Sequence, residues 1–419
     1  MSAQVQLRLL PSARCLFDEP IQVRVSGLTS GQVVTMRARS TDDRGMDFSS
    51  VAKYRANGHG EVNLVQDESL GGSYLGVEPM GLLWSMQPDT PHRNFVKRNV
   101  ALPHLVRISV HHEEETVGML AEATHERVLM ADGVSRVTVT LQNIEVVLFV
   151  PPGEGPFPGV LDISTFMHEK RACLLANKGY VVLTAAVFEK PSNIAPPEEL
   201  HLDFFEQAVE FLLQHPKVDG DGVGVIARSK ASDIALSLAT FVQGIKAVVW
   251  INGCNANVAV PLYYKKKQIL LPLLSDHSRI KETQSGVCCT KNCLDDPLSE
   301  SNKGTLIPIE KAEAQFLFAV GEDDLNWDSK AFMDQMIVRL TQHGRSNFES
   351  VCYPSAGHIL EPPYGPFCAS CPHGIIARPV LWGGVPKLHV AAEVHLWKKI
   401  QDFFKEHLSR DAAPVTCKL

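Results

Sequence analysis

From Gly159 onward the chain alternates short apolar runs with segments of helical spacing, and that alternation leaves few architectures open. Gly159-Val-Leu-Asp-Ile163 and Tyr180-Val-Val-Leu-Thr184 are apolar enough to be strands buried on both faces. Leu200 to His215 instead carries its large residues at helical intervals, at Phe204, Ala208, Phe211 and Leu212. Gly222-Val-Gly-Val-Ile-Ala227, Ala247-Val-Val-Trp-Ile251 and Gln315-Phe-Leu-Phe-Ala-Val320 repeat the strand pattern, with a helical run to Val242 after the first of them. Strands that feed helices in this way call for a parallel sheet covered on both faces. Residues 255–310 break the rhythm and read as a cap inserted into that domain.

The first 130 residues follow another rule. Ile21-Gln-Val-Arg-Val25, Val33-Val-Thr-Met-Arg-Ala38 and Val106-Arg-Ile-Ser-Val110 have period-two patterning or β-branched residues, separated by Gly, Ser, Asp and Pro clusters. Short strands at this spacing suggest a β-sandwich. Val137-Thr-Val-Thr-Leu141 and Glu145-Val-Val-Leu-Phe-Val150 continue as strands, and Pro151 to Pro158 is a sharp turn. The expected domains are therefore 1–135 and 136–419.

Composition narrows the function classes. With 45% apolar residues and a formal charge of only −7, the chain has material for a core but no general attraction to nucleic acid. No run of eighteen apolar residues is present, so no transmembrane helix is expected. The first residues alternate apolar and polar and read as a strand rather than a secretory signal. Ten cysteines without a paired framework then read as free thiols. Cys368-x-x-Cys371, with Cys288, Cys289, Cys293 and His373, lacks a matching second half, so no metal site is expected. Lys265-Lys-Lys267 reads as a solvated charge run in preference to a phosphate-steering patch, and His168 as a surface histidine.

The chemistry sits in Val225-Ile-Ala-Arg-Ser-Lys-Ala231. An apolar strand ends, Ser229 follows, and a helix begins at once, which is the context of a nucleophile elbow. The elbow usually reads G-x-S-x-G; here Ala227 and Ala231, the next smallest residues, take the glycine positions. Lys230 would offer its backbone N–H to an oxyanion at the helix N-terminus. The competing role for Ser229 is a plain helix cap. Phe316 to Asp324 is a strand ending in the acids Asp323 and Asp324, and Tyr353-Pro-Ser-Ala-Gly-His358 brings a histidine to a strand end. The order Ser, Asp, His is that of the α/β-hydrolases. Serine is a weak nucleophile that needs an imidazole to take its proton, and the acid fixes the imidazole's tautomer. The competing role for the acid pair is helix capping before the run that starts at Ser329.

Val320-Gly-Glu-Asp-Asp-Leu-Asn-Trp327, Tyr353-Pro-Ser-Ala-Gly-His-Ile-Leu-Glu-Pro-Pro-Tyr364, Trp382-Gly-Gly-Val-Pro386, Gly81-Leu-Leu-Trp84 and Thr124-His-Glu-Arg127 resemble the type I acyl-CoA thioesterase and bile acid-CoA:amino acid N-acyltransferase family. The resemblance covers nearly the whole chain. It implies an N-terminal β-sandwich followed by an α/β-hydrolase domain, an acyl-CoA substrate and no cofactor. It also places the nucleophile on Ser229, the base on His358 and the acid on Asp324 rather than Asp323. The activity it implies is hydrolysis of fatty acyl-CoA. The alternatives are acyl transfer to glycine or taurine, for which the family generally uses cysteine, and a weakly active or non-catalytic acyl-CoA binder. The chain departs from the family at the two alanines. It departs again at Asp162-Ile-Ser-Thr-Phe-Met-His-Glu-Lys170, where a glycine-rich oxyanion loop is expected and no glycine occurs. Reduced turnover is the consequence anticipated for a misplaced oxyanion donor. Cys417-Lys418-Leu419 keeps the pattern of a Ser-Lys-Leu address, so the expected location is the peroxisome, with its import receptor as partner and the cytosol as alternative.

Overall fold

The structure is a computed structural model and describes residues 4–113, 118–188, 197–374, 376 and 378–408. The C-terminal tripeptide lies outside the described residues. No helix among them is long and apolar enough to cross a membrane. The chain divides into two units, one of residues 1–131 with 362–368 and one of 132–361 with the chain from 369.

The first unit is built of strands because its sequence alternates. Gln6–Leu10, Gln22–Ser26 and Val62–Asn63 form a three-stranded sheet. A larger sheet runs through Arg14–Leu16, Met119–Val128, His104–His112, Val33–Thr41, Asp47–Arg55 and Gly71–Gly72, with Gln87–Pro88 paired to Asp47–Arg55. Period-two patterning decides what each sheet buries. Val23 and Val25 point inward while Gln22 and Arg24 face solvent. On the longer strand Val106, Ile108 and Val110 are buried.

The second unit is an eight-stranded sheet with helices. Its strands are β1 (Ser135–Leu141), β2 (Ile144–Val150), β3 (Phe157–Phe166), β4 (Val181–Phe188), β5 (Val218–Arg228), β6 (Ile245–Ile251), β7 (Gln315–Gly321) and β8 (Phe348–Tyr353). They lie in the order β1-β2-β4-β3-β5-β6-β7-β8. The first two pair antiparallel, and from β4 to β8 every pairing is parallel. The helices are α1 (Lys170–Ala176), α2 (Leu202–Gln214), α3 (Ala231–Phe241), α4 (Ser329–Gln342) and α5 (Pro386–Leu408).

Parallel strands covered on both faces lose the alternation and become continuous apolar runs. Accordingly Val181 to Leu183, Val225 to Ala227, Ala247 to Trp250 and Phe316 to Val320 are all without solvent exposure. Helix α2 turns Leu202, Phe205, Val209 and Leu212 toward this core at helical intervals. Residues 255–310 contain no α-helix; short strands Leu262–Tyr264, Lys267–Leu270, Lys281–Glu282 and Cys288–Cys289 with 3₁₀ turns make up the excursion.

One expectation changes here. The segment from Ile163 to Lys170 does not form a loop throughout. Strand β3 continues to Phe166, whose partner is Phe188 on β4. Without glycine, and with Ile163 and Phe166 favouring extended backbone, the strand persists and the loop shrinks to Met167, His168 and Glu169.

Candidate active site

All three candidate residues lie at the carboxyl ends of parallel strands, where open α/β sheets place their ligands. Ser229 follows β5 directly, Asp324 comes three residues after β7, and His358 five residues after β8.

Ser229 adopts φ +60°, a left-handed conformation that is rare for a residue with a Cβ. Its N–H donates to the Ile251 carbonyl (3.0 Å), and its own carbonyl accepts from Ser232 N–H (2.9 Å). Helix α3 therefore starts within two residues of the strand, with Ala227 and Ala231 fully buried on either side. The turn is tight enough to need small neighbours, and alanine suffices. Ser229 thus has the backbone of an elbow and not of a helix cap, the cap position being that of Lys230. Lys230 occupies the cap position of α3 with helical backbone angles, so its amide lies at the positive end of the helix. Its side chain is buried and paired with Asp233 (Nζ to Oδ2, 2.7 Å), which also accepts from Val258 N–H (2.8 Å). Burial raises the Asp233 pKa above the ordinary range, against the lowering effect of Lys230.

The Ser229 hydroxyl lies 2.9 Å from Nε2 of His358, and Nδ1 of His358 lies 2.7 Å from Oδ2 of Asp324. The Asp324 carboxylate has four donors. Oδ1 accepts from the backbone N–H of Asn326 (2.8 Å) and Trp327 (3.0 Å), and Oδ2 from the Ser329 hydroxyl (2.8 Å) and from His358. A carboxylate so surrounded accepts at both oxygens. The proton between the two side chains therefore sits on His358 Nδ1, and the Nε2 lone pair faces Ser229. Asp323 plays another part. Its Oδ2 accepts from Gly384 N–H (2.8 Å), which ties the Asp323 loop to the Gly383-Gly384 turn; it does not cap α4. The physical reason is direction: adjacent residues in the loop point apart, so only Asp324 reaches the histidine.

The histidine loop is pinned from several sides. His358 N–H donates to the Trp382 carbonyl (2.7 Å). The Asn252 carboxamide, fully buried after β6, donates to the carbonyls of Gly357 (3.1 Å) and His358 (2.9 Å) and accepts from Gly321 N–H (2.8 Å). Nδ1 of His389, on α5, accepts from Gly357 N–H (2.9 Å), and its Nε2–H donates to the Ile359 carbonyl (2.8 Å). The indole of Trp382 stacks on the His358 ring, with centroids 5.5 Å apart and planes 17° off parallel, and Trp327 meets the same ring edge-on at 6.1 Å. His373 stacks on Trp382 at 5.7 Å; burial, with a smaller contribution from His358, depresses its pKa to about 4. Sequence reasoning missed Asn252, His389 and Trp382 as parts of the site. Trp382-Gly-Gly stood out only as a family motif, and nothing in a lone asparagine after a strand announces what it touches.

Charged groups surround the elbow. Arg228 pairs with Glu361 (2.6 Å), which Lys170 also approaches (3.5 Å). Burial opposes the Glu361 charge, but Arg228, Lys170, His168 and Arg171 together hold its carboxyl well below the usual range. The end of the short loop and the first turn of α1 are fastened on consecutive residues. Glu169 takes a bidentate pair from Arg136 (2.7 Å twice), Lys170 faces Glu361, and Arg171 makes a buried pair with Asp162. His168 is exposed. Lys265 lies over the Tyr264 ring and 3.5 Å from Glu206, in the turn of a hairpin. Among the described residues, no three His, Cys, Asp or Glu side chains gather as a metal site.

Comparison with known proteins gives the chemistry a context. Residues 18–141 match the family model described as the acyl-CoA thioester hydrolase/BAAT N-terminal region, and residues 200–410 match BAAT / acyl-CoA thioester hydrolase C terminal. The chain is 43% identical to mouse acyl-coenzyme A thioesterase 5, covering 98% of this chain and 99% of that one. It is 41% identical to human acyl-coenzyme A thioesterase 1, covering 99% of each. With the human mitochondrial acyl-coenzyme A thioesterase 2 the identity is 40%, over 99% of this chain and 86% of the relative.

Proposed function

This chain belongs to the BAAT/acyl-CoA thioester hydrolase family, and from that premise we propose that it hydrolyses acyl-CoA thioesters with Ser229 as nucleophile, His358 as general base and Asp324 as the orienting acid. The observation that carries the reading is the continuous line from the Ser229 hydroxyl through both nitrogens of His358 to Asp324, at 2.9 and 2.7 Å. In the first half-reaction Ser229 Oγ attacks the thioester carbonyl and its proton passes to His358 Nε2. The oxyanion faces the Lys230 amide at the start of α3, where the helix dipole favours negative charge. The tetrahedral adduct collapses, the C–S bond breaks, and coenzyme A leaves with the proton from His358. Water, deprotonated by the same nitrogen, then releases the acid.

Hydrolysis is favoured over acyl transfer to glycine or taurine because the nucleophile is serine. An oxygen ester gives less driving force for aminolysis than a thioester would. Ser229→Ala tests the proposal. Coenzyme A thiol release should vanish while the far-UV spectrum and melting temperature stay put, since the two side chains differ by one atom. Unchanged turnover would remove Ser229 from the mechanism.

The peroxisomal address is a further part of the proposal, supported by Cys417-Lys418-Leu419. A fluorescent protein fused at the N-terminus should give punctate peroxisomal signal that deletion of Leu419 disperses into the cytosol. Import that survives the deletion would place the address elsewhere.

A further inference from the structure

We propose that Asn326 is a catalytic residue of the second half-reaction: its carboxamide holds the water that attacks the acyl-Ser229 ester against Nε2 of His358. The inference rests on the reading of Ser229 as nucleophile and His358 as base.

Nδ2 of Asn326 lies 3.2 Å from Nε2 of His358, the same nitrogen that accepts from Ser229 at 2.9 Å. A neutral imidazole with its proton on Nδ1 has one lone pair at Nε2. Two donors therefore converge on one acceptor, and in the free enzyme the hydroxyl is the closer. Once Ser229 is acylated its O–H is gone, and water can take the place of the closer of the two donors. A water molecule there gives one hydrogen to Nε2. It accepts a hydrogen bond from Asn326 through one oxygen lone pair and directs the other at the acyl carbon. The carboxamide has two N–H donors, so one is left for a water at an ordinary distance of about 2.8–3.0 Å from Nε2, within reach of Nδ2 across the 3.2 Å gap.

The carboxamide is held in the orientation this needs. The Thr290 hydroxyl contacts Asn326 Oδ1 and the Asn326 backbone carbonyl, both at 3.0 Å, so Oδ1 is anchored and Nδ2 is turned toward the histidine. The backbone N–H of Asn326 is fixed on Asp324 Oδ1 at 2.8 Å. Asn326 is 3% exposed, and a fixed donor in a nearly dry site needs little reorganisation. The step balances. The water oxygen bonds to the acyl carbon as its proton moves to His358 Nε2; then the C–Oγ bond breaks, Oγ recovers that proton, and the carboxylic acid departs. A residue that secures water at this point also favours hydrolysis over transfer to an amine.

The test uses the full-length protein and dodecanoyl-CoA, with thiol release followed in steady state and the acyl-enzyme quantified by mass spectrometry after acid quench. Because coenzyme A leaves in the first half-reaction, kcat/KM reports acylation and kcat reports deacylation once that step is slow. Asn326→Ala should lower kcat about 10–100-fold, the cost of one well-placed hydrogen bond. KM should fall in parallel, kcat/KM should stay within about threefold, and acyl-Ser229 should accumulate. Thr290→Val, which keeps the carboxamide but frees its rotation, should shift all these readouts the same way by less, and it serves if Asn326→Ala does not fold. A drop in kcat/KM equal to that in kcat without acyl-enzyme, or no change in kcat and occupancy, would overturn the role of Asn326. Failure of the underlying reading looks different: Ser229→Ala would release thiol at the wild-type rate.

Discussion

At the scale of single residues, the site distinguishes two adjacent acids by what each accepts. Asp324 Oδ2 is 2.7 Å from the imidazole, whereas Asp323 Oδ2 receives the Gly384 amide at 2.8 Å. Asp324→Asn should therefore lower kcat by about 10⁴-fold, since an amide cannot hold the working tautomer in the same way. Asp323→Asn keeps an acceptor oxygen for Gly384 and should leave kcat within a few-fold, at a stability cost of about 1 kcal/mol. Kinetics and thermal melting of the two variants check this, and reversed effects would assign the acid to Asp323. The sequence favoured Asp324 only through the family motif, because an acid pair after a strand carries no sign of direction. Two glycines nearby show what else was hidden. A Cβ on Gly357 would lie 2.3 Å from the Gly383 carbonyl oxygen, and one on Gly383, at φ +78°, would lie 1.8 Å from the Asp323 oxygen. The Asp323-Asp324 loop, the His358 loop and the Trp382 turn touch backbone to backbone, a contact between segments far apart in the chain that no local pattern encodes.

Elements divide the missing glycines into two cases. The elbow between β5 and α3 forms with Ser229 at φ +60° although both flanking positions are alanine. Ala227→Gly with Ala231→Gly should therefore leave kcat within a few-fold, and it should lower stability by roughly 1–2 kcal/mol through added backbone freedom and lost buried methyls. The loop after β3 is the other case. There the strand runs on to Phe166, and three consecutive residues, Glu169 to Arg171, are fastened by ion pairs. Replacing residues 164–169 by a glycine-rich loop should raise kcat more than it changes KM, because oxyanion donors act on the transition state. A replacement that changes KM alone would assign the segment to substrate binding. The parallel-sheet strands were readable because burial on both faces leaves an unmistakable apolar run. The reach of β3 was not, since Ser164-Thr-Phe166 suits a strand or a loop and pairing with β4 decides.

Across the whole molecule, stability should fall with acid in a defined window. His125, in the first unit, is buried and held at a pKa of about 4 by desolvation, even though its hydrogen bond to the Ala13 carbonyl works the other way. His373, in the second unit, is also depressed to about 4. Each is neutral in the folded chain, while the unfolded chain binds a proton below about 6.5. Unfolded protein thus binds more protons between pH 6.5 and 4, and stability declines as pH falls through that range. The loss at pH 5 should be about 2 kcal/mol per histidine. Melting temperatures from pH 8 to 4.5 check the trend, and His125→Asn, which retains a donor for Ala13, should flatten it; a curve unaffected by that substitution would exclude His125 as a source.

Covalent catalysis at Ser229 is the claim on which the rest depends, and direct capture of the intermediate tests it. Wild-type protein turning over dodecanoyl-CoA is quenched in acid, digested with pepsin and mapped by mass spectrometry; trypsin is unsuitable, because Arg228 and Lys230 flank the serine and would release a dipeptide. The account predicts a dodecanoyl group on the peptide spanning Ser229, absent from Ser229→Ala. Sustained thiol release with the acyl group on a cysteine, or thiol release by Ser229→Ala at the wild-type rate, would contradict it.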